Sequence, residues 1–102
     1  MRIVVKKVGE MPRVKHIEND IEAFKEIVGG YIEIVQISNN PFNRLYKVIC
    51  VCNEEGKLMG LPGNFFFGGD LIVGDVFFCA VNGEDFDSLN DDQVNCLMEV
   101  FN

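Results

Sequence analysis

No lysine or arginine follows Lys57, so residues 58–102 carry eight acidic side chains and no base at all. Binding to a nucleic acid depends on cationic side chains meeting phosphates, and that half of the chain offers none. The first 57 residues hold all nine bases against eight acids, a balance of +1, and the whole chain sits at −7. Histidine is equally scarce. His16 is the only one, and no Ser or Cys elbow motif accompanies it, so a general-base role has a single, unsupported candidate. No apolar run nears the roughly 18–20 residues that cross a bilayer; stretches such as Val76 to Val81 are strand-sized. At the N-terminus, charged Arg2, Lys6 and Lys7 bracket only three apolar residues, too few for a signal peptide. The expectation is a cytosolic protein without a membrane partner, its thiols kept reduced. Internal repeats and linkers are also missing, and 102 residues fit one globular domain spanning 1–102.

What is present suffices for a core. Hydrophobic residues make up 48% of the chain and Phe contributes nine of them, enough to fold without metal or disulfide staples. Arg2 to Val8 reads as a strand, Gly9-Glu10-Met11-Pro12 as a turn, and Arg13 to Ile17 as the returning strand of a hairpin. Asn19 or Asp20 can cap a short helix whose apolar stripe is Ile21, Phe24, Ile27 and Val28 and whose end is Gly29-Gly30. Tyr31 to Ile37 and Leu45 to Cys52 follow as strands, the second with a run, Val48 to Cys52, that looks buried on both faces. Asn53-Glu54-Glu55-Gly56 reads as a hairpin turn with Gly56 at positive φ.

Five glycines or prolines punctuate the stretch from Gly56 to Gly74, where short strands or irregular backbone are expected. Asp75 to Val81 reads as the final strand. A second helix starts at Asn90, with Gln93 completing a capping box and Asp91 and Asp92 favoured by the helix dipole. Its apolar stripe is Val94, Leu97, Met98 and Phe101. The predicted class is α+β: a single small domain with a mainly antiparallel sheet and two helices, one internal and one C-terminal. Its opening order, strand–strand–helix–strand–strand, resembles a β-grasp domain.

Several segments also resemble a known family. Val28-Gly29-Gly30-Tyr31-Ile32-Glu33, Val51 to Leu58, Gly60-Leu61-Pro62-Gly63-Asn64, Ile72-Val73-Gly74 and Leu89 to Gln93 resemble, in order and spacing, the domain of unknown function 3846 family of short bacterial and phage proteins. The resemblance covers nearly the whole chain. It implies an origin in bacteria or their mobile elements and brings no known activity. Phe65-Phe66-Phe67 stands where that family often has a basic or polar residue, so this loop departs from its pattern.

The chemistry-bearing residues fall into few patterns. Cys50 and Cys52 share one face of a strand, Cys79 lies in another strand and Cys96 in a helix; this is not the paired turn spacing of a zinc site. All four read as small core residues, with no metal and no cofactor expected. Glu84, Asp85, Asp87, Asp91 and Asp92 break the EF-hand pattern at Leu89 and Asn90. The glycine-rich pieces near Gly60–Asn64 and Gly68–Asp70 match no phosphate-binding fingerprint.

What stands out is the segment Asn53 to Asp70, more elaborate than a plain connection. It supplies the candidate binding residues Asn53, Glu54, Asn64, Phe65, Phe66, Phe67 and Asp70. Three consecutive Phe cannot share one face of a strand, so either Phe66 or the Phe65/Phe67 pair turns away from the core. Two functions stay open. One is a non-enzymatic interaction protein using the acidic half and Phe65–Phe67 against a protein partner or itself, with no nucleic acid bound. The other is a small-molecule or catalytic domain with Asn53, Glu54, Asn64 and Asp70 as polar groups. The charge split makes one expectation testable at once: residues 58–102 do not hold duplex DNA. Tight binding at low salt, surviving mutation of every base in residues 1–57, would contradict it.

Overall fold

The computed structural model describes residues 1–102. The elements are β1 (Arg2–Lys6), β2 (Arg13–His16), α1 (Ile21–Val28), β3 (Ile32–Gln36), β4 (Val48–Asn53), β5 (Gly63–Phe67), β6 (Asp70–Val73), β7 (Val76–Asn82), β8 (Asp85–Asp87) and α2 (Asp91–Val100). The main sheet runs β2-β1-β7-β4-β3, every ladder antiparallel, and β8 pairs with the far half of β7. A separate two-stranded sheet is formed by β5 and β6. This is an α+β domain with the expected sheet, both helices and the strand–strand–helix–strand–strand opening. The likeness to a β-grasp domain stops at that order: β7 runs antiparallel to both β1 and β4, so the sheet lacks the parallel central pair of that fold.

Strand alternation splits the apolar side chains of β1, β7 and β4 between two faces. Ile3, Val5, Phe77, Cys79, Ile49 and Val51 point to one side, where Phe24 and Val28 of α1 cover them. Val4, Val76, Phe78, Val48, Cys50 and Cys52 point to the other, where Val94 and Leu97 of α2 and Ile72 of β6 pack. Burying a side chain of this size contributes about 1.5–3 kcal/mol, so neither face can be left bare. The expectation that Val48 to Cys52 is buried on both faces holds along the whole of β4.

Both helices begin as their sequences dictate. Asp20 caps α1, its side chain accepting from the Ala23 N–H at 2.8 Å, and Gly29 ends it at φ 81°. Asn90 and Gln93 form the reciprocal capping box of α2. Arg2 then ties α2 to β1: its guanidinium donates to the Leu89 carbonyl and to the Asp91 carboxylate. Arg44 similarly bridges Asp92 and Glu99 along the helix.

Four local expectations are corrected. The strand expected from Leu45 begins at Val48, because Lys47 takes φ 63° and the backbone turns there, Val48 N–H donating to Leu45 O. Asn53–Gly56 is not a hairpin turn, since β4 pairs only with β3 and β7; residues 54–60 form successive turns instead. Gly56 does not take positive φ. Glycine is needed there for space, because a Cβ would lie 2.8 Å from a Val73 methyl. Finally, β7 is not the last strand. After the turn at Gly83, β8 folds back on it, Val81 opposite Phe86.

The cysteines occupy this core as free thiols. Burial pushes Cys79 up to about 12, helped by Asp87, and Cys52 up to about 11, helped by Glu33; burial also raises Cys50 well above the usual 9.0. A thiol whose folded pKa exceeds its unfolded value holds its proton longer in the native state, so stability falls as pH rises past about 9. The urea midpoint should therefore drop progressively between about pH 9 and 11. A flat midpoint across that range would contradict the burial of these thiols.

Candidate functional site

The segment from Asn53 to Asp70 folds into two parts, the turns at 54–60 and the β5–β6 hairpin. Gly68 and Gly69 close the hairpin with φ 58° and 81°, the two positive values a primed two-residue turn demands. Alternation then decides the three phenylalanines. Phe65 and Phe67 turn inward against the core of the α2 face. The Phe65 ring lies 4.7 Å from Phe101 and 6.0 Å from Phe78, and Phe78 stacks on Phe101 at 4.9 Å. Phe66 turns outward and is 76% exposed. The core of this face, with Phe101 just past the end of α2, therefore takes in its two neighbours and leaves Phe66 uncovered.

Leu71, opposite Phe66 in the hairpin, also lines a groove of about 280 Å³ between β6, the edge of β3 and the turns after β4. Asn53, Glu54 and Asp70 line the same groove, together with Glu33, Lys57 and Leu58. Leu58 is 89% exposed on its rim. The structure thus brings three of the candidate polar residues to one groove, bordered by the apolar surface of Leu58, Leu71 and Phe66. Sequence reasoning missed Glu33, which arrives from β3 and carries no local motif. The charge of the rim is negative: Glu33, Glu54 and Asp70 stand against Lys57 alone, and Lys57 is paired with Asp70. That pairing holds the Asp70 carboxyl below its ordinary value.

Asn53 and Asn64 do mainly internal work. Buried Asn53 donates from Nδ2 to the Val28 carbonyl at 3.2 Å, joining the groove to the end of α1. Its Oδ1 accepts from the Glu55 N–H at 2.8 Å and so fixes the first turn after β4. Asn64 lies outside the groove. Its Nδ2 donates to the carbonyls of Lys6 and Gly74, both at 2.8 Å, and pins the hairpin to the end of β1. Its Oδ1 is buried without a partner.

Other candidates stay apart. His16 is exposed on edge strand β2. Cys50, Cys52 and Cys96 lie on the α2 face and Cys79 on the α1 face, and no three His, Cys, Asp or Glu side chains are grouped closely enough to hold a metal ion. Asp91 and Asp92 are taken up by Arg2 and Arg44. A second groove, about 470 Å³, lies between β2 and α1. Its rim mixes Lys7, Arg13 and Lys15 with Glu10, Glu26 and Asp75, and selects neither sign of ligand.

A small α+β domain with a charged groove beside an exposed aromatic hairpin is the class that fold and site define. The whole chain, residues 1–102, matches the family described as Domain of unknown function (DUF3846), and the protein belongs to that family. No curated protein and no solved structure matches it.

The two Asn64 hydrogen bonds generate a prediction. Asn64→Asp replaces a double donor with an acceptor facing two carbonyl oxygens, and should lower unfolding free energy by about 2–4 kcal/mol. Urea denaturation measures this. A loss below about 0.5 kcal/mol, the scale of an ordinary surface change, would mean the hairpin is not held by Asn64.

Proposed function

We propose that this domain is a non-enzymatic protein-interaction module that docks a basic segment carrying apolar side chains onto its β5–β6 face. The observation that carries the reading is Phe66, 76% exposed beside a groove whose rim is net negative. A large ring left in water gains about 1.5–3 kcal/mol when a partner covers it. The carboxylates of Glu33, Glu54 and Asp70 favour lysine or arginine on that partner, and residues 58–102 contain no base to repel them. The groove is shallow in polar resources for a small molecule, because both polar atoms of Asn53 are already bonded inside the fold. Four unpaired, buried thiols fit a reducing, cytoplasmic setting, and no helix is long and apolar enough to cross a membrane. Membership of the family favours an accessory role in bacteria or their mobile elements.

Capture of binding proteins from the host, read by mass spectrometry, identifies the partner, and one mutant tests the surface. Phe66→Ser should weaken that association at least tenfold while changing the melting temperature by no more than about 2 °C, since the ring packs against little of its own chain. Loss of several degrees with unchanged association would refute the contact-surface reading. Copurification of a small molecule in the groove, displaced by no protein, would favour a ligand-binding domain instead.

A further inference from the structure

Both ends of the main sheet are edge strands, and they differ in how they are protected. Strand β2 is guarded in the usual ways: Arg13 and Lys15 flank its outward groups, and Pro12 just before it has no N–H to offer. Strand β3 has no such guard. Tyr31 O accepts from Glu54 N–H and Ile37 N–H donates to Val48 O, which places residues 31, 33, 35 and 37 on the bonded side toward β4. Antiparallel alternation then aims the N–H and C=O of Ile32, Ile34 and Gln36 outward, away from the sheet. The side chains are apolar as well, Ile34 being 52% and the adjacent Tyr31 61% exposed. Glu33 is the only charged residue of the strand.

We infer that β3 pairs antiparallel with β3 of a second copy across a two-fold axis at Ile34, making one continuous sheet through a homodimer. The register follows from the strand itself. A single antiparallel alignment overlaps all five residues of β3 and also sets outward groups against outward groups. It places Ile34 opposite Ile34, Ile32 opposite Gln36, and Glu33 opposite Val35. That alignment buries the two exposed isoleucine side chains against each other. It also keeps each Glu33 off its own copy, whereas a shift of the axis to residue 33 would set the two carboxylates face to face. The contact is isologous and closes on two copies, and the joined sheet ends on both sides in the guarded strand β2. Each copy carries −7. Their mutual repulsion is screened by salt, so this dimer tightens as ionic strength rises. Docking of a basic segment on the groove has the opposite salt dependence, and the two associations fail independently.

The test is analytical ultracentrifugation of the full chain from micromolar to near-millimolar concentration. The wild type should move reversibly toward twice the monomer mass, and more so in high salt. Ile34→Lys sets two ammonium groups opposite each other and should raise the dimer dissociation constant at least about tenfold. Ile34→Pro removes one outward N–H that no strand of the monomer uses, and should do the same. Both variants should keep the far-ultraviolet circular dichroism of the wild type; if Ile34→Lys misfolds, Ile34→Pro and the salt series carry the test. Phe66→Ser should leave the dimer untouched. A strictly monomeric wild type, a dimer unaffected by a folded Ile34 variant, or a dimer lost in Phe66→Ser would each overturn the proposal.

Discussion

Three strands that are apolar on both sides govern the molecule. Because β1, β7 and β4 alternate Val, Ile, Phe and Cys side chains to opposite faces, neither face of the sheet is tolerable in water. One helix can cover one face, and α1 does so with Phe24 and Val28. The other face is wider than α2 alone covers, and the β5–β6 hairpin is laid beside the helix to finish the job. The aromatic cluster of Phe65, Phe78 and Phe101 marks the seam where hairpin, sheet and C-terminal helix meet.

The candidate site is a by-product of that covering. A hairpin has two faces, and committing Phe65 and Phe67 inward obliges Phe66 to point outward. The hairpin also needs a route from the end of β4 onto the sheet face. The turns at 54–60, fixed by Asn53 and made possible by the close approach of Gly56 to Val73, provide it and leave the groove between themselves, β3 and β6. Structure and interaction surface therefore share residues: Asn53 and Asn64 hold the scaffold, while Phe66, Leu58 and the rim carboxylates face outward.

Electrostatics separates the molecule further. The first 17 residues carry five bases and one acid, and these form the β1–β2 hairpin at one edge. The opposite edge, β3, and the hairpin face next to it carry mostly acids and exposed apolar groups. Charge protects the first edge from pairing, and its near absence on β3 leaves a strand whose outward backbone is open.

Local signals in the sequence determined much of this protein. Both helices follow from the Asp20 and Asn90 side chains that reach their own backbone a few residues away and from the left-handed turn at Gly29, and the doubly buried run of β4 follows from its unbroken apolar residues. The sequence also settled that the Phe triplet must divide, because period-two alternation is a property of the extended chain. It could not say which way it divides. That choice belongs to Phe101 and Phe78, which come from the far end of the chain and from another strand. For the same reason Gly56 was misread: its requirement comes from Val73, seventeen residues on, and not from its own φ angle. Glu33 joined the groove only when the sheet order placed β3 beside β6's side of the fold. Interactions within a few residues are written in the sequence; those between distant segments, which assemble the groove and uncover Phe66, were decided by tertiary packing alone.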